Sequence, residues 1–584
     1  MQERYKSGSN SERTIDSKCL VNSSSTAINS SKLALNFSNK FEKEIKKKKM
    51  GKVVFINPSL DYESEDARTG ITIWPYPGLM ILQSVLVEAG YDAQLIDSNL
   101  YKKVEFRKKL FSAIDDETIF VGFGLMTVNV IWAYSVIKEI KNRHPNMKIL
   151  VGGFHPTLFP DQMINDKLID VVALNESASI ITALTETIKN GGDLSKINGI
   201  YYKKNNTVYR NPPNTKLDDA RNIPFINLDL TEHNKYSKNN AVIFDYFPKK
   251  RGDYTTYTII TSWGCPFKCT FCINAILERR YRYRTAELIV DRIEYLIKEH
   301  NANFIILQDE EFCINKKRLF RFLDLIEERG LTGKFHWRTS LRVSNFRSDY
   351  IDDETAKRLE KSGMVTSVMG GESGSQRILD EIRKEIKVEE ITHAMETLSK
   401  TNIVPKISFM VGLPGETDEE VQLTYELCVK YKKMFLKKNK FADVGIFSFR
   451  LYPGSPLYDK AIKHLGIKPD KRSLEELCNS STKGNIKEGA GYEPIYKKYL
   501  KNPKKFEDML FIYDYFIMRN LKRKNLIRNL LEAIAYWRIE NKFYRGIFIE
   551  RLLLKSALKF RKFIRWGKNY EKTPDPDVDL VSGM

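Results

Sequence analysis

Three cysteines lie within one eight-residue segment, Cys265-Pro266-Phe267-Lys268-Cys269-Thr270-Phe271-Cys272. The segment directly follows an apolar run at 256–261 that is predicted to be a strand. A tight loop lets the three sulfurs converge on one compact metal centre. A zinc site normally has four protein ligands, and neither a fourth Cys nor a His is adjacent in sequence. The spacing therefore favours a 4Fe–4S cluster with one open iron, and chance spacing of three buried cysteines is the alternative.

Predicted strands and helices alternate around this segment, over residues 254–455. One helix is predicted to begin at Thr285, and a later one opens with a capping box formed by Thr417 and Glu420. The predicted strands are 256–261, 304–308, 335–338, 366–370, 406–411 and 443–449, and the predicted helices are 285–299, 316–329, 353–362, 388–400 and 418–433. This series of βα units predicts a partial (β/α)6 barrel over residues 251–460, with its chemistry at the carboxyl ends of the strands.

Polar or glycine-rich motifs follow four of these strands. The second strand is followed by Gln308-Asp309-Glu310-Glu311-Phe312, and the fourth by Gly370-Gly371-Glu372-Ser373-Gly374-Ser375. The fifth and sixth are followed by Met410-Val411-Gly412-Leu413-Pro414-Gly415-Glu416-Thr417 and by Tyr452-Pro453-Gly454-Ser455-Pro456. Each motif alone is explained by turn chemistry. Their order after the cysteine triplet is not expected by chance.

The spacing Cys-x-x-x-Cys-x-aromatic-Cys, together with these motifs, resembles the signature of radical S-adenosylmethionine (SAM) enzymes over residues 250–455. The resemblance implies that Cys265, Cys269 and Cys272 are the ligands of the 4Fe–4S cluster. It also implies that the open iron chelates the amino and carboxylate groups of SAM, and that reductive cleavage gives a 5′-deoxyadenosyl radical. An electron donor such as flavodoxin or ferredoxin is implied with this chemistry.

The same resemblance implies which side chains hold SAM. Phe271 backs the adenine, Asp309 or Glu310 meets the amino group, and Glu372 holds the ribose hydroxyls. Glycines beside Glu372 let the backbone approach a ligand closely. The residues predicted to bind SAM are Phe271, Asp309, Glu310, Gly370, Gly371, Glu372 and Ser373.

A second series of strands and helices occupies residues 51–190. The predicted strands are 53–57, 93–97, 118–124, 148–152 and 170–174, with helices near 78–90, 128–143 and 178–189. Strand, helix and strand repeated with short loops predict a doubly wound, Rossmann-like parallel sheet, which binds ligands at the carboxyl ends of its strands. Those ends carry small residues, at 122–124 and in Gly152-Gly153-Phe154-His155-Pro156, over which a flat ligand could lie.

This domain in front of the barrel, with Tyr76-Pro77-Gly78-Leu79, resembles the cobalamin-binding class of radical SAM proteins. Cobalamin is implied at the edge that carries Gly152 and Gly153. The chain has no Asp-x-His-x-x-Gly, so the resemblance implies base-off binding; His155 is either a cobalt ligand or a loop histidine satisfied by backbone groups, and the second is favoured. Relatives carry Gly-Glu-Gly-Glu after the last strand, where this chain has Asn175-Glu176-Ser177-Ala178, so a changed loop is predicted near the corrin or the domain interface.

Three further regions complete the predicted organisation. Residues 1–50 have the composition of a disordered leader, with Met50 as a candidate start. Residues 191–250 predict a connector of small strands and turns. Residues 461–584 predict a helical C-terminal region with a basic tail, in which basic residues exceed acidic ones by 12 over residues 501–570. Such a tail is either a helix on an anionic membrane surface or a capping helix packed on the barrel.

The composition is that of a multidomain globular protein, with 584 residues, 42% hydrophobic residues and a net charge of +21. Seven cysteines, three of them crowded together, indicate a reducing compartment rather than a disulfide framework. No 18-residue uncharged apolar run occurs, so the protein is predicted to be cytoplasmic or peripheral to a membrane. The basic balance attracts phosphates, but no RNA-binding module accompanies it, so nucleic acid is not the expected partner.

The predicted function is radical chemistry that begins with reductive cleavage of SAM and ends in cobalamin-dependent methylation of an unactivated carbon. Two enzymatic alternatives keep the SAM radical: cyclisation or rearrangement without methyl transfer, and a barrel whose first domain is empty. An RNA-modifying or nucleic-acid-binding protein is the third alternative. The expected substrate is a small molecule, such as a lipid or a natural-product intermediate, which the sequence does not identify.

Overall fold

The computed structural model describes residues 50–59, 75–215, 219–238, 253–275, 277, 280–450, 454–466, 473–476, 495–518 and 526–552. The predictions for the leader, for Tyr452 and Pro453, and for the tail beyond residue 552 lie outside these residues. The chain divides after Met50, and every element below belongs to the unit Gly51–Met584.

Seven strands form the sheet of the first domain. They are β1 (Lys52–Asn57), β2 (Asp92–Asp97), β3 (Thr118–Gly124), β4 (Ile149–Gly152), β5 (Val171–Ala173), β6 (Ile200–Lys204) and β7 (Thr207–Arg210). Their order is β2-β1-β3-β4-β5-β6-β7, parallel as far as β5 and antiparallel beyond it. β1 and β3 are buried along nearly their whole length, which is why they read as continuous apolar runs.

Helices connect these strands. They are α1 (Pro77–Glu88), α2 (Lys103–Ala113), α3 (Val130–Arg143), α4 (Phe154–Leu158), α5 (Pro160–Asn165) and α6 (Ile181–Lys189). The parallel sheet and the predicted helices are confirmed, with shifts of a few residues at their ends. Sequence reasoning missed α2, because its only buried residues are Phe106, Leu110 and Ala113 among many charges. The hairpin β6–β7 falls in the predicted connector and extends the sheet of the first domain.

The second domain is built on a parallel sheet of six strands. They are β8 (Thr256–Ile259), β11 (Phe304–Leu307), β12 (His336–Ser340), β13 (Met364–Glu372), β14 (Val404–Val411) and β15 (Asp443–Ser448). Between β8 and β11, the strands β9 (Ser262–Trp263) and β10 (Arg282–Tyr283) form a separate short hairpin. The order β15-β14-β13-β12-β11-β8 follows the chain, with each strand of this sheet beside the next one, which confirms the predicted partial (β/α)6 barrel.

Helices cover the outside of this barrel. They are α8 (Ala286–His300), α9 (Lys316–Glu328), α10 (Asp353–Lys361), α11 (Gln376–Glu381), α12 (Val388–Ser399), α13 (Asp418–Lys437) and α14 (Pro456–Leu465), and they are preceded by the short α7 (His233–Lys238). Both predicted caps are present: the hydroxyl of Thr285 accepts from Leu288 N at 3.3 Å, and Thr417 forms the capping box with Glu420. The cap fixes where α8 begins, and the apolar side of the helix is then buried against the barrel core.

The short helix α7 joins the two domains. His233 donates from Nε2 to the carbonyl of Thr256 in the barrel at 2.8 Å, and its ring stacks on Tyr257. Tyr236 donates from its hydroxyl to Asp97 at the end of β2, at 2.7 Å. A small apolar cluster that includes Ile81 and Ile226 fills the space between these contacts. The domains therefore share a packed interface within the unit Gly51–Met584.

The C-terminal region packs on the barrel. Its helices are α15 (Pro503–Ile512) and α16 (Leu526–Glu540). Tyr513 donates to the carbonyl of Val444 at 2.8 Å, and Gln422 on α13 donates to the carbonyl of Ile539 at 2.8 Å. These contacts support the capping alternative for residues as far as 552. In the part of the chain that the structure describes, no helix is both long and apolar enough to cross a membrane.

One short C-terminal segment returns to the first domain. Leu474, only 1% exposed, belongs to the same apolar core as Val54, Val121 and Ile137. The ammonium of Lys138 on α3 lies 3.8 Å from the carboxylate of Glu475. Residues 473–476 therefore help to complete the core of the first domain, although they follow the barrel in sequence.

Candidate functional site

The cysteine loop, residues 264–275, leaves the barrel at the carboxyl end of β8. It begins after β9, which pairs with β10 through Trp263 and Arg282. Two backbone hydrogen bonds of Thr270 hold its middle: the amide donates to the carbonyl of Ile382 at 2.9 Å, and the carbonyl accepts from Leu457 at 2.9 Å. The structure thus fixes the loop at both its root and its middle, at the end of the barrel where chemistry is expected.

The three cysteines have the chemistry that an iron–sulfur cluster requires. Cys265, Cys269 and Cys272 are free thiols, with Cys269 buried and the other two half-buried. Burial raises the pKa of Cys265 to about 11, so metal binding at neutral pH has to release protons. Among the residues described, no three His, Cys, Asp or Glu side chains are placed to hold a single metal ion. In a 4Fe–4S cluster each thiolate binds a different iron atom, so its three sulfurs need not converge on one metal ion.

Asp309 supports the root of the cysteine loop. Its carboxylate accepts from Thr261 N at 2.7 Å and Ser262 N at 3.0 Å, and also from the Thr261 hydroxyl. Arg318 donates to the same carboxylate at 3.3 Å, and both side chains are almost completely buried. The structure therefore places predicted residue Asp309 in contacts within the protein, whereas its neighbour Glu310 is exposed.

Glu311 is a buried carboxylate that sequence reasoning missed. It accepts from Cys313 N at 3.2 Å and from the amide of Asn345 at 3.1 Å. Burial raises the pKa of Glu311 to about 7. Its charge also contributes to the raised pKa of Cys265, which shows that it lies near the cysteine loop. The sequence signal for Glu311 was the run of three acidic residues at 309–311. Of these, only the first, Asp309, supports the root of the loop.

Glu372 forms a buried ion pair with Lys384, with 2.7 Å between Oε1 and Nζ. Its backbone has φ of +63°, at a bulge where β13 pairs with β14. A Cβ on Gly370 would lie 2.0 Å from the Glu372 carboxylate, and a Cβ on Gly371 would lie 2.7 Å from the ring of Phe409. The space beside both glycines is therefore occupied by neighbouring side chains of the protein itself.

Lys384 could not be singled out in the sequence, because it follows α11 and belongs to no motif. Both members of the Glu372–Lys384 pair influence the thiol of Cys272 electrostatically, so the pair lies near the loop. Ser373 is fully buried, with its hydroxyl 3.4 Å from that of Thr424. Its contacts support the backbone after β13.

Two aromatic residues of the cysteine loop have different surroundings. Phe267 lies under the guanidinium of Arg342, 3.6 Å from the ring centroid. Phe271 is half-buried and packs against the barrel core. The cation at Arg342 is another group that no sequence motif indicated. Buried charges of both signs therefore surround the cysteine loop. Such surroundings suit a ligand that carries ammonium, sulfonium and carboxylate groups.

The glycine edge of the first domain consists of Gly124, Gly152 and Gly153 at the carboxyl ends of β3 and β4. A Cβ on Gly124 would lie 2.8 Å from the ring of Tyr76, so this tyrosine covers part of the edge. Gly153 has φ of +100°, and a Cβ there would lie 2.7 Å from the carbonyl of Leu125. Gly152 would accept a Cβ at ordinary contact distances. The edge therefore has a tightly built part and, at Gly152, a roomier part.

His155 is not available as a cobalt ligand in this arrangement. Nδ1 lies 3.2 Å from the Thr127 hydroxyl, and Nε2 lies 3.1 Å from the side-chain carbonyl of Gln162. Burial lowers the pKa of His155 to about 4, so the ring is neutral. Its partners are side chains rather than the backbone groups that we expected. The edge fits a corrin bound without a histidine on cobalt, as the missing Asp-x-His-x-x-Gly motif implies.

The altered loop after β5 keeps a left-handed turn without glycine. Asn175 has φ of +57°, a conformation that asparagine tolerates better than most residues. Its amide donates to the hydroxyl of Thr157 at 2.9 Å. The next residue, Glu176, contacts the barrel: both carboxylate oxygens lie 2.6 Å from Nη2 of Arg282. The predicted location near the domain interface is therefore confirmed, and the loop forms an ion pair there.

Comparison with known proteins assigns both domains. The model of the Radical SAM superfamily matches residues 259–428, and the B12 binding domain matches residues 69–185. An uncharacterized methyltransferase of Pyrococcus horikoshii is 30% identical over 421 residues, which cover 71% of this chain and 84% of the relative. An anaerobic magnesium-protoporphyrin IX monomethyl ester cyclase of Rubrivivax gelatinosus is 25% identical over 504 residues, which cover 84% of each chain.

Two solved structures share the fold. The radical S-adenosylmethionine methyltransferase TsrM from Kitasatospora setae, with cobalamin and a [4Fe–4S] cluster bound, has a TM-score of 0.54 at 16% identity and covers 72% of this chain and 76% of its own. The cobalamin-dependent radical enzyme OxsB, with aqua-cobalamin and S-adenosylmethionine bound, has a TM-score of 0.59 at 16% identity, covering 90% of this chain and 76% of its own. With both domain matches and the 30% identical relative, the chain belongs to the cobalamin-binding enzymes of the radical SAM superfamily.

Proposed function

We propose that the protein methylates an unactivated carbon of a small-molecule substrate, using SAM, a 4Fe–4S cluster and cobalamin. The observation that carries the proposal is the contact between the two candidate sites: Glu176 follows β5 at the edge of the first domain, and Arg282 pairs with Trp263 at the root of the cysteine loop. Radical formation and methyl delivery have to meet at one substrate carbon, so adjacent sites support this reaction. The P. horikoshii relative is also named a methyltransferase.

When bound, the cluster supplies the electron that cleaves SAM, and cobalamin supplies the methyl group. Cys265, Cys269 and Cys272 would hold the cluster. Lys384 and Arg342 are cations near the cysteine loop and suit the carboxylate of SAM.

Glu311 is the better candidate for the amino group of SAM than Asp309 or Glu310. Both oxygens of Asp309 accept from the loop root or from Arg318, whereas the two hydrogen bonds to Glu311 from Cys313 N and Asn345 both end on Oε1. Glu310 is exposed. Glu311 is buried and close to Cys265. We expect Glu311→Gln to weaken SAM binding by about tenfold or more, since a charge-assisted hydrogen bond is lost. Equilibrium dialysis of SAM against the reconstituted protein measures this, with Glu310→Gln as the matched control.

The reaction itself is tested with SAM that carries a deuterated methyl group. We expect a product in which one intact labelled methyl group has replaced one hydrogen of the substrate, identified by mass spectrometry of cell extract incubated with the reduced enzyme. A product that gains no label, or whose mass change differs from this replacement, would contradict methylation.

Cyclisation or rearrangement is the second candidate function. It is favoured by the R. gelatinosus relative, which is named a cyclase and is matched over 84% of its length. The same labelling experiment separates the two reactions, because a cyclase consumes SAM without placing its methyl group in the product. In a further alternative, the barrel acts while the first domain binds no ligand. About one corrin bound per chain would exclude that alternative.

The partners follow from the same chemistry. A radical SAM enzyme needs a one-electron reductant, and we propose flavodoxin or ferredoxin in the cytoplasm.

A lipid or natural-product intermediate is proposed as the substrate, with peripheral membrane contact through exposed apolar residues such as Trp537 and Phe548 near Arg545. Co-sedimentation with anionic vesicles, lost in a Trp537→Ser/Phe548→Ser variant, tests the contact. Salt-dependent binding of tRNA would instead favour a nucleic-acid partner.

A further inference from the structure

A continuous chain of contacts runs from the glycine edge to the cysteine loop. The Thr157 hydroxyl donates to the carbonyl of Gly153 at 2.8 Å and accepts from Asn175 N at 2.9 Å. Glu176 comes next and pairs with Arg282, as described above. On the barrel side, Arg282 pairs with Trp263 in the hairpin, two residues before Cys265. One ion pair is therefore the only step of this chain of contacts that crosses between the domains.

The pair is better protected than an ordinary surface ion pair. The side chain of Glu176 is 18% exposed and that of Arg282 is 14% exposed. A partly buried pair is screened less by salt than an exposed one, and reversing one of its charges leaves two like charges in contact. Each member of the pair also belongs to a defined backbone element. Glu176 follows the left-handed turn at Asn175, and Arg282 lies in the two-stranded hairpin. The geometry of the pair therefore constrains both elements.

We propose that Glu176 and Arg282 are a positioning pair that sets the placement of the corrin edge relative to the cysteine loop. This inference rests on the proposed function, since it assumes a corrin at the glycine edge and a cluster on the cysteine loop. Neither residue contacts the reacting atoms in this role. The pair acts through the backbone: Glu176 holds the loop that supports Gly153, and Arg282 holds the strand that begins the cysteine loop.

The chain offers a matched control pair. Arg107 and Glu139 join α2 to α3 with two hydrogen bonds, of 2.8 and 2.6 Å. Their side chains are 28% and 34% exposed, so this pair is also partly buried. It lies within the first domain and touches no residue of the barrel side of the contact chain. Reversing it tests what a lost ion pair does to the first domain alone.

The experiment compares charge reversals in the full-length chain. The variants are Glu176→Arg, Arg282→Glu, the double swap, and the corresponding three for Arg107 and Glu139. Each is reconstituted with iron, sulfide and hydroxocobalamin, and the rate of corrin loss is followed by visible absorbance. We expect each single reversal of the interdomain pair to speed corrin loss about tenfold, and the swap to restore it to within about threefold of wild type. The control variants should stay within about twofold.

A second readout does not require any cofactor. Hydrogen exchange of the peptides that contain Asn175 and Trp263 is measured in the apo-protein. We expect both peptides to exchange faster in each single reversal and to recover in the swap, because the pair orders both elements. Unchanged exchange in the single reversals, or a swap that fails to recover, would overturn the inference. If the wild-type protein binds no corrin but the variants show this pattern of exchange, the proposed function is overturned, whereas the ordering of both elements by the pair is upheld.

Discussion

The cysteine loop and the glycine edge are held in place in different ways. Buried charges surround the cysteine loop: the pair Asp309–Arg318 at its root, and the pair Glu372–Lys384 beside it. The glycine edge is held by neutral groups, such as Tyr76 over Gly124. The difference matches their proposed ligands, because SAM carries three charges in a small volume, whereas a corrin is large and mostly neutral at its rim. We therefore expect different kinds of substitution to disrupt the two sites.

The largest expected effect is at the cysteine loop. A variant with Cys265, Cys269 and Cys272 all changed to alanine should lose all cluster iron and all reductive cleavage of SAM, since the three proposed thiolate ligands of the cluster are then gone. The first domain should still bind corrin, because its edge uses none of these residues. Metal analysis and the visible spectrum after anaerobic reconstitution measure both. Iron that survives in the variant would contradict the assignment of the ligands.

The support of the loop is the next target. Removing one partner of the buried Asp309–Arg318 pair, as in Arg318→Met, should lower the free energy of unfolding by about 3–5 kcal/mol, because an uncompensated carboxylate is left buried. The variant should also bind less iron, although Arg318 is no ligand. Chemical denaturation and iron content per chain are the measurements. Arg321→Met on the same helix is the control, since the Arg321 side chain is 43% exposed.

At the glycine edge we expect a pH effect instead. The pKa of His155 is about 4 in the folded protein and 6.5 without the fold, because burial disfavours the charged ring. The folded state therefore binds the proton more weakly. The stability that neutral His155 contributes is present above pH 6.5 and is lost as pH falls toward 4, by about 3 kcal/mol. His155→Gln should flatten this part of the curve of unfolding free energy against pH, and an unchanged slope would contradict the prediction.

The smallest effect separates two adjacent glycines. Gly153→Ala should cost about 1–3 kcal/mol, because its backbone is left-handed and the new methyl group would meet the carbonyl of Leu125. Gly152→Ala should leave the free energy of unfolding nearly unchanged, since its Cβ has room. Thermal unfolding compares the two apo-proteins. Corrin binding by Gly152→Ala then shows whether a ligand uses the room that this glycine leaves.

Sequence patterns predicted the fold well wherever structure is local. Apolar runs located the parallel strands of both domains, and Thr285 and Thr417 marked where two helices begin. The cysteine spacing, together with the strand before it, predicted a cluster loop. Each of these signals lies within a few residues of sequence, which is why it could be read directly.

The contacts that surround the sites could not be predicted in this way. Glu176 and Arg282 are 106 residues apart, and Lys384 reaches Glu372 from the segment that follows α11. The family pattern also pointed to Asp309 and Glu310, whereas the structure adds Glu311 as the buried carboxylate near Cys265. Which of several adjacent acids is buried depends on packing from distant strands. A single sequence does not contain that information in any local form.

Leu474 has a consequence for the order in which the protein is made. The first domain leaves the ribosome early, but one buried side chain of its core is synthesised only after the entire barrel. Domains generally fold as units in the order of their synthesis. Here the part of the apolar core that Leu474 covers stays open until residue 474 emerges, so the core of the first domain is completed late in translation. Residues 51–252 produced alone should accordingly bind a hydrophobic dye, and a peptide containing Leu474 should suppress that signal.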